Sequence, residues 1–216
     1  MNRFFITVGS LIFLPFTAAA DYSPRDFLAA APAETFYTED EISEHDKQKL
    51  LSAPFDPRTN FTCEAWAVAK ESTSSLTVQI CPDSFVRIQL YRAASGDTIV
   101  AVESNRSSGR SFDLQFFQVS GESNALFKID DERLKALGLE DVTENDLLGE
   151  RDSFPPSGSE RVFLSLDESG RPRATPRSWN DPRWEKRTVA FDVTFEWNGS
   201  RFHRSAVRLP SKPSHL

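Results

Sequence analysis

The sequence predicts an α+β protein, mainly antiparallel β, built as a sandwich or open barrel with short helices at its N-terminal end. Three features of the chain predict it. The hydropathy period is helical before residue 52 and switches to two from Phe61 onward. Turn signals recur at hairpin spacing between the apolar runs. The 18 phenylalanines against a single methionine point to a core of rigid rings rather than flexible gap-fillers.

The chain opens with Met1-Asn2-Arg3, an apolar run from Phe4 to Phe16, and Thr17-Ala18-Ala19-Ala20 before Asp21. A charged start, a short hydrophobic segment and a small-residue site form a secretory signal peptide over residues 1–20, with cleavage expected after Ala20. The apolar run is too short to span a bilayer comfortably, and no transmembrane segment is expected in the mature chain. Residues 21–216 read as a single domain, with a helical arm over 21–52, a β-rich body over 60–209 and a short disordered tail over 210–216. The leader holds one Arg and no acid, so its removal moves the formal charge from −7 to −8. An acidic surface disfavours nucleic acid, whose phosphates need a clustered positive field.

In the arm, Ser23-Pro24-Arg25-Asp26 supplies an N-cap serine, a proline at the first helical position and an acid three residues after the cap. A helix through Phe27, Leu28 and Ala31 should stop before Pro32. Thr38-Glu39-Asp40-Glu41 repeats the capping pattern and predicts a second helix to about Leu51, with acids in its first turn and Lys47 and Lys49 near its end. Its apolar stripe of Ile42, Leu50 and Leu51 is thin, which places it on the surface. Pro54-Phe55-Asp56-Pro57 breaks it.

The body begins with strands over 61–70 and 76–81 joined through Glu71-Ser72-Thr73-Ser74-Ser75. A hairpin folded about Ser72 sets Trp66 opposite Val78, Val68 opposite Leu76 and Cys63 opposite Cys81. Facing antiparallel residues lie within disulfide reach, so the two cysteines are expected to be bonded in an oxidising compartment. Val86, Ile88 and Leu90 alternate with Arg87, Gln89 and Tyr91, and 98–103 is apolar on both faces, as a central strand would be. Phe112, Leu114 and Phe116 form the next strand. A short strand over 126–129 leads to a helix over 131–137 closed by Gly138, and Thr143 caps one further turn to Leu148. Residues 149–160 read as a loop, followed by a strand through Val162, Leu164 and Leu166. The last hairpin runs from Thr188 to Leu209 about Asn198-Gly199, a type I′ dipeptide. A two-residue turn there sets Phe195 opposite Phe202, Glu196 opposite Arg201 and Thr194 opposite His203. About eight strands result.

The segments Phe27-Leu28-Ala29-Ala30-Ala31-Pro32, Phe36-Tyr37-Thr38 and Ile42-Ser43-Glu44-His45-Asp46-Lys47, set ahead of a β-rich body, resemble exported bacterial proteins of uncharacterised function. The resemblance covers about the first third of the mature chain. It implies a periplasmic address and brings no activity with it.

Motifs for chemistry are sparse. Of the three histidines, His215 lies in the tail and His45 on the polar second helix, leaving His203 as the one plausible general base, with no nucleophile marked beside it. No nucleophile elbow, phosphate loop, dinucleotide fingerprint or H-E-x-x-H occurs, so no catalytic residue and no cofactor are assigned. Asp141, Thr143, Asn145 and Asp152 fit part of a calcium loop, but Asp146 stands where the sharp turn needs glycine, and no metal is assigned. Three Asn-x-Ser/Thr sequons are incidental in a bacterial chain.

One stretch contrasts with the acidic background. Residues 171–187 carry Arg171, Arg173, Arg177, Arg183, Lys186 and Arg187 with Trp179 and Trp184 interleaved, and Pro172, Pro176 and Pro182 oppose regular structure. Arg and Trp are the types enriched in binding hot spots, and guanidinium forks suit carboxylate or phosphate. Arg177, Trp179, Arg183 and Trp184 are the predicted contacts; the plainer alternative is a surface loop whose cations neutralise the protein's own acids. The expected function is an exported, periplasmic, non-catalytic interaction protein that binds a protein or an anionic glycan of the envelope. An inhibitor or immunity protein against a toxin or hydrolase, and a hydrolase using an unmarked carboxylate pair or His203, are the alternatives.

Overall fold

A computed structural model describes residues 22–36, 42–55, 61, 63–82, 84–105, 112–149, 162–175 and 189–210. Among them, ten strands form two antiparallel sheets, so the predicted α+β, β-rich class holds and the architecture is a sandwich. The first sheet is a six-stranded meander: β1 (Ala67–Glu71), β2 (Ser75–Cys81), β3 (Ser84–Arg92), β4 (Thr98–Asn105), β5 (Phe112–Val119) and β6 (Leu126–Lys128). The second holds β7 (Phe163–Leu166), β8 (Pro172–Thr175), β9 (Phe191–Trp197) and β10 (Phe202–Arg208), also in chain order. No helix among the described residues is long and apolar enough to cross a membrane.

Two cores flank the first sheet. On one face, Val68, Val78, Val86, Ile88, Val100 and Val102 meet the helical arm. On the other, Tyr91, Ile99, Ala101 and Phe116 meet Val193, Phe195 and Phe202 of the second sheet. β4 feeds both cores, which is why its sequence is apolar on successive residues. Burying each large apolar side chain contributes about 1.5–3 kcal/mol.

The arm is built by its caps. α1 (Pro24–Ala30) starts on a reciprocal capping box, Ser23 with Asp26, and drives Phe27 and Leu28 fully into the core, where the Phe27 ring lies 5.4 Å from that of Phe117. A 3-10 turn, Ala33–Phe36, adds the buried Phe36. α2 (Glu44–Ser52) opens on Ser43, not on Thr38, because Ser43 and Asp46 complete a capping box of their own. α2 lies on the surface, as its thin stripe predicted: Glu44, His45, Gln48, Lys49 and Ser52 are exposed, while its inner side buries Leu50, 1% exposed, and the ammonium of Lys47, which donates to the Ala31 carbonyl at 2.7 Å. Arg25 closes the arm by donating to the carbonyls of Leu50, Leu51 and Ala53 at the end of α2 and, with Nε and Nη2, to the Glu71 carboxylate. One guanidinium thus satisfies orphan helix carbonyls and fastens α2 to β1.

Both hairpins form with registers other than expected. In β1–β2, Val68 pairs with Val78 and Glu71 with Leu76, with an irregularity between Val68 and Lys70. The turn is set by Ser72, whose Oγ accepts from the amides of Ser74 and Ser75 while its own N–H donates to Ser75 O. In β9–β10, Trp197 pairs with Phe202, Phe195 with Arg204 and Glu196 with His203. Asn198 makes this turn longer than two residues: its Oδ1 accepts from the amides of Ser200 and Arg201, and its N–H donates to Arg201 O. The pairing shifts by two positions in β9–β10 and at Val68 in β1–β2, which keeps those side chains on their predicted faces, so alternation alone does not detect it; past the irregularity in β1 the shift is three.

The disulfide between Cys63 and Cys81 is present, with Cα atoms 4.6 Å apart, but not through strand pairing. β1 begins only at Ala67, and Cys63 lies in the preceding bend at φ 63°, held by its N–H donating to Ile80 O. The remaining correction is β8, a strand inside a stretch whose prolines argued against one. Pro172 is tolerated because it is the first residue of the strand, paired with Leu166.

Candidate functional site

Charged and polar side chains hold the β7–β8 turn on the first sheet. β3 and β4 turn Arg87 and Glu103 toward the second sheet, and these two are direct cross-strand partners. Glu103 is only 2% exposed. Its Oε1 accepts from the Leu166 amide at 3.0 Å, and its Oε2 lies 3.4 Å from Arg87 Nη1. That nitrogen also donates to the carbonyls of Leu166 and Asp167 at 3.0 and 3.1 Å. Tyr91, four residues along β3 from Arg87 on the same face, donates its hydroxyl to Gly170 O at 2.5 Å. Gly170, the last residue of the turn, has φ +80°, a left-handed backbone that favours glycine, and a Cβ there would fall 2.2 Å from Gln89 Oε1 unless that side chain moved.

Burial dominates the electrostatics. It raises the Glu103 pKa above the ordinary carboxylate range, against the pull of Arg87 and the Leu166 N–H. Burial, then the charges of Asp167 and Glu103, push the Tyr91 hydroxyl up as well, keeping it a donor. Asp167 goes the other way. Partial burial would raise its pKa, but bonds from Ser169, the Arg171 amide and the Arg171 guanidinium outweigh that and hold it below the usual range.

Outside this clamp lies a solvent-open groove of about 490 Å³ lined by Arg87, Arg171, Arg173, Asp167, Glu168 and Asp192, among others. Arg171 Nε donates to Asp167 Oδ2 at 2.8 Å and its Nη1 to Glu196 Oε1 at 3.0 Å. Arg173 Nε donates to Asp192 Oδ1 at 2.7 Å. The first two cations of the 171–187 stretch are therefore paired with the protein's own acids, as the plainer alternative expected for all six. Arg177, Trp179, Arg183 and Trp184 lie outside the described residues, as do residues 1–20 and the tail from 211. The stretch leaves the sheet at the end of β8 and returns into β9, so its two stems are the strands that carry Arg173 and Asp192 into the groove.

His203 is exposed, faces Glu196 rather than Thr194, and its Nε2 lies 2.5 Å from Asn198 Nδ2. Asn198 is itself committed to the turn. Among the described residues, no group of three or more His, Cys, Asp or Glu side chains is arranged to hold a metal ion. Sequence reasoning missed the Arg87–Glu103 clamp. Its signal was a lone acid in a strand otherwise apolar on both faces, which needs a cation across the ladder.

No family model matches the sequence, and neither a curated protein nor a solved structure matches the chain.

Proposed function

We propose that this is an exported, periplasmic, non-catalytic interaction protein that recognises a protein or anionic ligand of the envelope through the face bearing the 171–187 stretch. The observation that carries it is the position of the stems: β8 and β9, which launch and receive the Arg/Trp stretch, also wall the charged groove with Arg173 and Asp192. Binding residues are disproportionately found on connections between rigid elements. The leader-like residues 1–20 support export, and a Cys63–Cys81 disulfide suits an oxidising compartment. The carboxylate of raised pKa among the described residues, Glu103, supports the non-catalytic reading: at 2% exposure beneath Arg87 and the Leu166 amide it is out of a substrate's reach.

The test uses the mature chain as bait in an envelope extract, with capture compared for a Trp179→Ala/Arg183→Ala variant. Loss of about 2 kcal/mol, roughly 30-fold in Kd, is expected with the melting temperature nearly unmoved. Normal capture by a variant that melts far lower would make the stretch structural. A turnover lost from the variant while binding survives would favour the hydrolase alternative.

A further inference from the structure

Arg87, Arg171 and Arg173 open onto one groove, and each keeps donors that no described residue uses. Arg173 spends Nε on Asp192 and leaves both terminal nitrogens. Arg171 spends Nε on Asp167 and Nη1 on Glu196 and leaves Nη2. Arg87 spends Nη1 on the Leu166 and Asp167 carbonyls and on Glu103, and leaves Nε and Nη2. The opposing acid is nearly saturated. Asp167 Oδ1 accepts from Ser169 N, Ser169 Oγ and Arg171 N, and its Oδ2 from Arg171 Nε. The groove therefore offers surplus charged donors that cannot be deprotonated. Its few spare acceptors are Asp192 Oδ2 and the exposed Glu168.

We infer that this groove receives an aspartate or glutamate side chain from an extended segment of a partner protein, its carboxylate held by the free guanidinium edges of Arg173 and Arg171. This rests on the proposal that this face is the recognition face. The charge balance selects the class of anion. Three arginines face Asp167, Glu168 and Asp192 in the lining, and Arg171 and Arg87 also meet Glu196 and Glu103, so there is no net positive charge to hold a phosphate dianion and a single carboxylate on the free guanidinium edges meets less repulsion. The spare acceptors suit the amide N–H groups that flank an acidic side chain in a peptide. No aromatic ring lines the groove among the described residues to stack against a sugar, which favours a peptide over an acidic glycan.

Fluorescence anisotropy with a labelled oligoglutamate peptide tests this on the full mature chain, with oligoglutamine, oligogalacturonate and inorganic phosphate as comparison probes. Oligoglutamate should bind, weaken with added salt, and lose at least about tenfold in affinity in Arg173→Gln and in Arg171→Gln, with the fold retained by circular dichroism. Oligoglutamine should not bind. No binding of oligoglutamate, or binding unmoved by either variant, overturns the inference. Equal or tighter binding of oligogalacturonate or phosphate overturns the choice of a peptide carboxylate. Envelope capture that depends on Trp179 and Arg183 while oligoglutamate fails to bind would sink this groove assignment alone and leave the recognition face standing.

Discussion

Replacing Arg87 by Ala would isolate the least exposed charged residue among those described. Glu103 is 2% exposed, and Arg87 is the cation beside it, with a side chain 25% exposed. Without Arg87 the carboxylate keeps only the Leu166 amide, and the carbonyls of Leu166 and Asp167 lose a shared donor. Removing one partner of a buried pair costs about 3–5 kcal/mol, because the other charge stays behind without compensation. At this chain length that corresponds to a fall of roughly 10 °C in the melting temperature. Glu103→Gln should cost less, about 1–2 kcal/mol, since the amide oxygen can still accept from Leu166. The pH dependence adds a second readout. Burial raises the Glu103 pKa, so the folded state binds this proton more tightly than the unfolded state. Its contribution is fully present below the ordinary carboxylate value of about 4.3 and is lost as pH rises through the raised folded value. The melting-temperature gap between wild type and Glu103→Gln should therefore be wider at pH 5 than at pH 8. Asp167, whose pKa is lowered, contributes with the opposite sign, present above the unfolded value and lost in acid, but equally in both proteins. Thermal and urea unfolding of the two variants measures all of this. A cost below about 1 kcal/mol for Arg87→Ala, or a gap that widens with rising pH, would refute a buried, charge-compensated clamp.

Two further outcomes follow from the fold. Gly170→Ala should destabilise by about 1–2 kcal/mol through its left-handed backbone alone, with more from the contact with Gln89; adding Gln89→Ala should relieve only that second part, by urea unfolding. The Cys63→Ser/Cys81→Ser variant should lose about 3 kcal/mol, as expected for a bond closing a sequence separation of 18, and reduction of the wild type should reproduce the loss.

Much of the architecture was readable from local chemistry. The capping box at Ser23, the cap at Thr143, the alternation in β3 and β5 and the doubly apolar β4 each depend on residues close in sequence, and each is observed. The bonded cysteine pair was foreseen too, although the bend that brings Cys63 to β2 was not. Register was not readable. A strand slid by two residues keeps its apolar face, so the choice fell to turn contacts made by Ser72 and Asn198, which alternation does not record. The way α2 is fastened was hidden for a related reason: with so few apolar residues, its docking depends on Arg25 and Lys47 reaching carbonyls supplied by other parts of the chain. The clamp and the groove lay furthest out of view. Arg87, Glu103, Leu166 and Gly170 are drawn from two sheets, and only the packing of one sheet on the other desolvates Glu103 and makes its pairing matter. The sequence by itself determined the β-rich class and which side of each strand is apolar, because these follow from local periods. Tertiary structure alone decided which charges meet, because that depends on which strands the folded chain places side by side.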